Sequence, residues 1–372
     1  MMNQDPEAIG FSSARLDRVG QLLSSTHEAG DLMGAAVQVT CHGVALDPIC
    51  VGRRRLADEG ARVEADTIFL VASITKPLAA GAVAKLIEQG DLSLDDRVAD
   101  VIPGFEAADK ENVRIRHLMT HTSGLPDQIP ENRAYREAHR PLSDFVARTC
   151  ELPLAFEAGT KVSYQSSGIN VLGAIVERIT GTALPEYLDE IFFTPLGLRD
   201  TSLGIQSRSE RESDVVIAGE GLTYGGAGTD YDWNSDYWRG LGAPWGGLLT
   251  TVGEMTRLML MFRANGELDG VRCLSEATVR TMVTDHASAL PDLDPTDHAR
   301  QRWGLGWRLG GRNTSTYGDL TSDDTYGHGG ATGTVAWHDP AKDVTCVIFT
   351  NDPDAASWLR PRISNIVMGA VL

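Results

Sequence analysis

The sequence predicts an α+β protein in which both ends of the chain contribute strands to one antiparallel sheet. Apolar and polar residues alternate as in strands between residues 34 and 71. The pattern returns after Trp303 in WGLGWRL, ATGTVAWHD and DVTCVIFTND. Helical patterns and long loops dominate between these two regions. We therefore expect a sheet that is flanked by helices, with a mainly helical region inserted between its two halves.

Helices are predicted over residues 13–29, 74–89 and about 355–371, and over the segment INVLGAIVERITG. Gly90 and Gly181 follow two of these apolar patterns and are typical helix stops. The 372 residues suffice for one domain with a large core. We expect a sheet subdomain of about 1–71 and 300–372 and a helical subdomain of about 72–299. The functional site is expected in the cleft between them.

Charge and composition exclude several classes of partner. The net charge of −18 argues against nucleic acid and anionic membranes, which are both polyanions. No stretch approaches the roughly 20 apolar residues that span a bilayer. The N-terminus lacks a basic segment followed by an apolar one, so no secretory signal is expected. Five scattered cysteines fit reduced thiols and a cytoplasmic protein.

Residues 203–243 form a long glycine-rich, acidic and aromatic segment. Loops of this length inside a compact domain are usually functional or disordered. Tyr231, Trp233, Tyr237 and Trp238 argue against disorder, because disordered segments are poor in aromatic residues. We expect a loop that lines or covers the cleft, with an insert packed elsewhere as the alternative.

Ser73 and Lys76 form an S-x-x-K motif at the start of the helix predicted over 74–89. Side chains three residues apart on a helix share a face, with Cβ atoms about 5–6 Å apart. The lysine amine can accept the serine proton if burial lowers its pKa. Pro77 in the first turn would place Ser73 at the helix N-terminus, where its backbone N–H suits an oxyanion. Taken alone, the motif fits a catalytic pair and a helix-capping serine with a solvated lysine equally well.

Two later segments change that balance. Tyr164 and Ser166 form Y-x-S just before a helix, and His328, Gly329 and Gly330 form H-G-G at the head of a predicted strand. In this order the three motifs resemble the serine β-lactamase and penicillin-binding protein superfamily. The closer resemblance is to the branch with tyrosine in the second motif, which includes class C β-lactamases, D-alanyl-D-alanine carboxypeptidases, D-aminopeptidases and family VIII carboxylesterases. Stretches such as VRIRHLMTHTSGLPD and APWGGLLTTVGEMTRLM extend the resemblance over nearly the whole chain.

The resemblance implies a β-lactamase/transpeptidase-like fold and a role for each motif residue. Ser73 would be the nucleophile that forms an acyl-enzyme, and Lys76 its proton acceptor. Tyr164 would pass a proton to the leaving group and activate the deacylating water. The backbone N–H groups of Ser73 and Ala331 would form the oxyanion hole. Gly329 and Gly330 would leave room for substrate against their strand.

Two departures from the family pattern bear on the substrate. Ser166 stands where β-lactamases and peptidases usually have the asparagine that holds the substrate amide. His328 replaces a lysine, so a fixed cation for a substrate carboxylate becomes a titratable group. Both departures put β-lactam hydrolysis in doubt. Trp245 is expected either to wall the cleft or to pack in the core.

The sequence thus predicts a serine hydrolase that cleaves a small ester or amide through an acyl-enzyme on Ser73. The alternatives are a β-lactamase, D-aminopeptidase or DD-carboxypeptidase, an acyltransferase, and a catalytically silent binding homologue. His117 and His121 have the i, i+4 spacing of metal ligands, but neither a third ligand nor an H-E-x-x-H motif accompanies them. We expect no metal and no cofactor, and the oligomeric state stays open.

Overall fold

Strands from both ends of the chain form a seven-stranded antiparallel sheet. The computed structural model describes residues 5–217, 226–310 and 315–372. The strands of this sheet in the described residues are β1 Gly34–Cys41, β2 Val44–Ala45, β3 Ile49–Gly52, β9 Arg308–Leu309, β10 Tyr326–Gly330, β11 Thr334–Asp339 and β12 Val344–Thr350. Their order in the sheet is β2-β1-β12-β11-β10-β9, and β3 also pairs with β1. Because β1 pairs with β12 from Ala35 to Cys41, the prediction that both ends of the chain build the sheet is confirmed.

The two faces of the sheet bury different sets of residues. Alternate residues of β1 and β12, such as Val39 and Cys346, face a core that they share with α1 (Ser13–Glu28) and α14 (Pro353–Ala370). The intervening residues, such as Phe349, face the larger core, where α11 (Val252–Arg263) packs on the sheet. Side chains alternate between the faces of a strand, and β12 places apolar residues on both faces, whereas the second face of β1 includes the polar residues Gln38 and Thr40.

The rest of the described chain is mainly helical. The centre of this region is α2 (Thr75–Gln89), which packs against α7 (Ser167–Thr180). Gly90 and Gly181 follow these helices with φ of 85° and 72°, as the stop signals predicted. The remaining helices are α3 Val98–Val101, α4 Ile115–Met119, α5 Asn132–Glu137, α6 Leu142–Glu151, α8 Leu184–Leu188, α9 Thr194–Leu196, α10 Asp236–Gly240, α12 Glu276–Met282 and α13 Pro295–Arg300.

Two smaller sheets accompany the seven-stranded sheet in the described part of the chain. β4 (Phe69–Leu70), β6 (Leu248–Thr250) and β5 (Ser202–Leu203) form a three-stranded sheet in that order. β7 (Glu267–Leu268) and β8 (Val271–Arg272) form a hairpin after α11. The α+β class is confirmed, whereas the division into two subdomains stays a prediction.

One strand lies differently from the prediction. His328, Gly329 and Gly330 end a strand of their own, β10, whereas the sequence placed them at the head of the next strand, β11. The segment WGLGWRL contributes only the two-residue strand β9. Glycine disfavours strands, and its abundance in TYGHGG concealed β10.

The described part of the 203–243 loop is packed. Arg239 is fully buried and donates to Glu212 Oε2 at 2.6 Å. Trp238 packs on Trp245 with ring centroids 6.1 Å apart. The expectation that this loop lines or covers the cleft falls partly on residues 218–225, which lie outside the described residues.

Two further expectations concern cysteines and membranes. Cys41 and Cys50, on neighbouring strands, are both free thiols, and so are Cys150, Cys273 and Cys346. Among the described helices, none combines the length and the apolar character needed to cross a bilayer.

Candidate active site

Ser73 lies in a tight 3₁₀ turn, Ala72–Ile74, between β4 and the start of α2. Ala72 has a φ of +47°, a left-handed conformation that is uncommon for a residue other than glycine. Two threonines at the turn between β10 and β11 hold the residues just before Ala72. Thr332 Oγ1 donates to the carbonyl oxygen of Leu70 at 2.6 Å, and Thr334 Oγ1 donates to that of Val71 at 2.8 Å. The nucleophile predicted from the sequence is therefore held against the end of β10.

Lys76 is fully buried and lies beside Ser73. Its Nζ atom is 3.1 Å from Ser73 Oγ and donates to the carbonyl oxygen of Trp245 at 3.0 Å. Burial lowers the pKa of Lys76 from 10.5 to about 7, although the charge of Asp127 opposes the shift. A general base works best when its pKa is close to the working pH. Near neutral pH, Lys76 can thus hold a free amine that accepts the Ser73 proton.

Tyr164 lies on the loop before α7, and its ring faces the lysine. Lys76 Nζ is 4.7 Å from the centre of the phenol ring. Tyr164 is 37% exposed, so part of its surface is open to solvent. The structure therefore brings together Ser73, Lys76 and Tyr164, the three side chains that the sequence motifs singled out.

His328 reaches the same place from β10. Its ring packs on Tyr164 and Trp303, with centroids 5.9 Å apart in both cases. Its Nδ1 lies 2.8 Å from the carbonyl oxygen of Gly329 and must carry the proton, since a carbonyl only accepts. Burial, with the nearby charge of Lys76, lowers the pKa of His328 to about 3. At neutral pH this position therefore holds a neutral imidazole and no cation.

Gly329 and Gly330 make room for protein atoms. A Cβ atom on Gly330 would lie 2.2 Å from the carbonyl oxygen of Val71, so the strand packs directly on the chain before Ser73. A Cβ on Gly329 would meet Arg360 and Thr316. Close packing on Val71 therefore favours a glycine at position 330, and the expectation that Gly329 and Gly330 leave room for a substrate stays a prediction. Ala331 follows in the exposed turn, and its role in an oxyanion hole stays a prediction.

Ser166 and Trp245 line a small cavity near Lys76. Ser166 is buried and precedes α7, and its N–H donates to the carbonyl of Asp127 at 3.0 Å. The Trp245 ring packs against Phe145, with centroids 6.1 Å apart. The cavity has about 10 Å³, room for about one water molecule. Trp245 also contributes the carbonyl that holds Lys76, a function that its side chain does not reveal.

Sequence reasoning missed other residues of the site. Trp303 and His121 pack together at 4.4 Å and both contact Tyr164, at 5.8 and 4.7 Å. The sequence drew attention to His121 only through its spacing from His117. In the structure His117 Nδ1 accepts the N–H of Arg114 at the start of α4, away from Tyr164. The order T-H-T-S-G before the tyrosine motif was the one signal that could have pointed to His121.

Comparison with known proteins identifies the family. The family model named Beta-lactamase matches residues 21–362. This chain belongs to the Beta-lactamase family. Penicillin-binding protein 4 of Amycolatopsis lactamdurans is 30% identical over 352 residues, which cover 92% of this chain and 86% of that protein. The resemblance drawn from the three motifs is thereby confirmed.

Solved structures confirm the fold. The hydrolase EstCE1, described as having promiscuous acyltransferase activity, matches with a TM-score of 0.78 and 22% identity over 96% of this chain and 99% of that one. A family VIII carboxylesterase matches with a TM-score of 0.77 and 21% identity over 97% and 99% of the two chains. The chain has the β-lactamase/transpeptidase-like fold and is a serine hydrolase of the Beta-lactamase family.

Proposed function

We propose that this protein hydrolyses small, uncharged carboxylic esters through an acyl-enzyme on Ser73. The observation that carries the proposal is the buried Lys76 amine, 3.1 Å from Ser73 Oγ and with its pKa lowered to about 7. Such an amine can deprotonate a serine hydroxyl at neutral pH without a histidine–aspartate pair.

The mechanism follows from the positions of three side chains. Lys76 accepts the Ser73 proton as Oγ attacks the ester carbonyl, and a tetrahedral oxyanion forms. Tyr164 donates its phenol proton to the leaving alcohol, and the C–O bond to that alcohol breaks. Water then attacks the acyl-enzyme as Tyr164 takes a proton from it, and Ser73 recovers its own proton from Lys76. One ester and one water give one carboxylic acid and one alcohol.

Two features of the site favour uncharged esters over β-lactams. His328 is neutral and 4% exposed, so it supplies no charge to a substrate carboxylate. Ser166 has a short hydroxyl side chain in the place where amide-binding relatives carry an asparagine. A site that hydrogen-bonds an amide discriminates strongly through that contact, and an ester does not require it.

One observation favours a second candidate, hydrolysis of substrates that bear a carboxylate, as a D-alanyl-D-alanine carboxypeptidase would perform. Arg308 on β9 lies over the Trp303 ring, with its guanidinium carbon 5.9 Å from the ring centre. The positive charge of Arg308 contributes to lowering the pKa of both His121 and His328. Among the carboxylates that the structure describes, none forms an ion pair with Arg308, so this cation is available to a substrate anion.

Ester hydrolysis tests the proposal. The purified protein should hydrolyse p-nitrophenyl acetate, and Ser73→Ala should abolish this activity without changing the fold. Ser25→Ala, on α1, is the matched control and should keep full activity. Equal rates in the wild type and Ser73→Ala would refute the mechanism. No turnover, together with no labelling by a fluorophosphonate, would favour the silent binding homologue.

Two parallel substrates separate the ester proposal from its rivals. A chromogenic cephalosporin reports β-lactamase activity, and a D-alanine p-nitroanilide reports aminopeptidase activity. For the carboxylate candidate, Arg308→Gln should slow a carboxylate-bearing ester selectively and leave p-nitrophenyl acetate unchanged.

A further inference from the structure

His121 is a fully buried histidine in a left-handed conformation, with a φ of +60°. Such a conformation costs about 1–3 kcal/mol in a residue other than glycine and persists only where its surroundings enforce it. The residue follows α4, and it is outside the set of side chains to which the proposed mechanism assigns a role. Its contacts with the loop that carries Tyr164 explain what its position achieves.

Three contacts join His121 to that loop. The carbonyl oxygen of His121 accepts the N–H of Ser163 at 2.8 Å. Its Nδ1 atom accepts the N–H of Gln165 at 3.2 Å. Its ring packs on the Tyr164 ring, with centroids 4.7 Å apart and planes tilted by 43°. The residues on both sides of Tyr164, and Tyr164 itself, are thus held by one residue.

The loop that carries Tyr164 is not part of a helix or a sheet, so no regular hydrogen-bond pattern holds it in place. Residues 161–165 belong to no helix or strand, and the Tyr164 side chain is more than one-third exposed. Trp303 supports His121 from its other side, edge to face at 4.4 Å and 75°. Trp303 also contacts the Tyr164 ring directly, at 5.8 Å, but of these two residues His121 alone bonds the backbone of the loop on both sides of the phenol.

The Gln165 contact also fixes the protonation of His121. Because Nδ1 accepts a backbone N–H, the ring is neutral and carries its proton on Nε2. Burial lowers the pKa of His121 well below its ordinary value, and the nearby charge of Lys76 acts in the same direction. The acceptor that holds Gln165 is consequently retained over the whole pH range in which the enzyme can work.

We propose that His121 is a positioning residue for Tyr164, which holds the phenol where it can protonate the leaving group. The inference rests on the proposed function, since it assumes that Tyr164 is the proton donor. A positioning residue of this kind affects esters unequally. An alkoxide is a poor leaving group and needs the proton, whereas p-nitrophenolate departs without it.

Two acetate esters supply the test, because both deliver the same acetyl group to Ser73. The variant His121→Phe keeps a ring against Tyr164 but removes the Nδ1 acceptor. Its kcat/KM for ethyl acetate should fall at least about 10-fold, a fraction of the usual contribution of general acid catalysis. Its kcat/KM for p-nitrophenyl acetate should fall less than about 3-fold by the same reasoning. Tyr164→Phe should show the same selectivity with a larger loss.

A double mutant and a matched histidine sharpen the result. If His121 acts through Tyr164, His121→Phe should add nothing in a Tyr164→Phe background. His117→Phe removes the same kind of contact, an imidazole that accepts a backbone N–H, away from Tyr164. It should leave the ratio of the two kcat/KM values unchanged. An equal loss on both esters, or additive losses in the double mutant, would overturn the inference.

Asparagine and alanine provide a second comparison if His121→Phe does not fold. Asparagine tolerates the left-handed conformation and keeps an acceptor near the position of Nδ1. His121→Asn should therefore retain more ethyl acetate activity than His121→Ala at equal p-nitrophenyl acetate activity, and equal values would overturn the inference. If the wild type cleaves neither ester, or Ser73→Ala stays active, the proposed function itself has failed. If Ser73→Ala loses activity but the His121 variants slow both esters equally, only the positioning role of His121 is refuted.

Discussion

Replacing Lys76 with methionine should abolish activity and make the protein more stable at neutral pH. Lys76 is fully buried, and its pKa is lowered by burial to about 7. Between pH 7 and 10.5 the unfolded chain binds a proton on this lysine that the folded chain does not. Folding stability must therefore rise with pH across this window and fall as the pH drops towards 7. Methionine has a similar length and carries no such proton.

The size of the gain follows from the two pKa values. Linkage between 10.5 and about 7 gives a penalty of about 4 kcal/mol at pH 7 and about 2 kcal/mol at pH 9. The variant also loses the hydrogen bond to the Trp245 carbonyl, worth about 1 kcal/mol. The net expectation is a Lys76→Met variant more stable by about 3 kcal/mol at pH 7 and about 1 kcal/mol at pH 9.

Urea unfolding at the two pH values, followed by tryptophan fluorescence, measures both differences. Lys85→Met is the matched control on the same helix, because Lys85 pairs with Glu88 near the surface at 2.8 Å. That pair is worth at most about 1 kcal/mol, so its loss should give no gain in stability. A Lys76→Met variant that is less stable than wild type at pH 7, or whose gain in stability is equal at pH 7 and pH 9, would contradict this prediction.

Three further predictions concern the site and its support. The kcat/KM for p-nitrophenyl acetate should rise with pH through about 7 and then level off, because only the free amine of Lys76 accepts a proton; a profile without an inflection near pH 7 would contradict this. Gly330→Ala should destabilise the protein by about 1–3 kcal/mol, since its Cβ would meet a backbone carbonyl. Gly369→Ala, in the last turn of α14, has open space for its Cβ and should be neutral or slightly stabilising in thermal unfolding. Glu212→Gln should cost about 3–5 kcal/mol by leaving buried Arg239 without its counter-charge, and a loss below about 1 kcal/mol in urea titrations would argue against a dry ion pair.

Elements with strong local patterns could be predicted from the sequence. The helix at Thr75–Gln89 has apolar spacing, a proline in its first turn and a glycine stop, and all three act locally. The strand at Val344–Thr350 is a short apolar run buried on both faces. The strand Tyr326–Gly330 could not be predicted in the same way. Its glycines disfavour a strand, and it forms because β9 and β11 offer partners on both sides.

The sequence predicted those parts of the candidate site in which reactive side chains form recognisable motifs. Ser73, Lys76 and Tyr164 stood out through motif order, and the structure brings them together. The parts that escaped prediction act through backbone groups or tertiary contacts. Trp245 holds Lys76 by its carbonyl oxygen, and His121 holds the Tyr164 loop by a carbonyl and a ring nitrogen. A backbone carbonyl is the same in every residue, so the sequence carries no signal for it.

The direct test of the account is to find the acyl group on the protein during turnover. The enzyme is mixed with p-nitrophenyl acetate, quenched in acid within the first turnovers, and analysed by intact mass and peptide mapping. We expect one acetyl group, on the peptide that contains Ser73 and at the Ser73 hydroxyl, and none in Ser73→Ala. Turnover without a covalent adduct, or an adduct that maps to another residue, would contradict it.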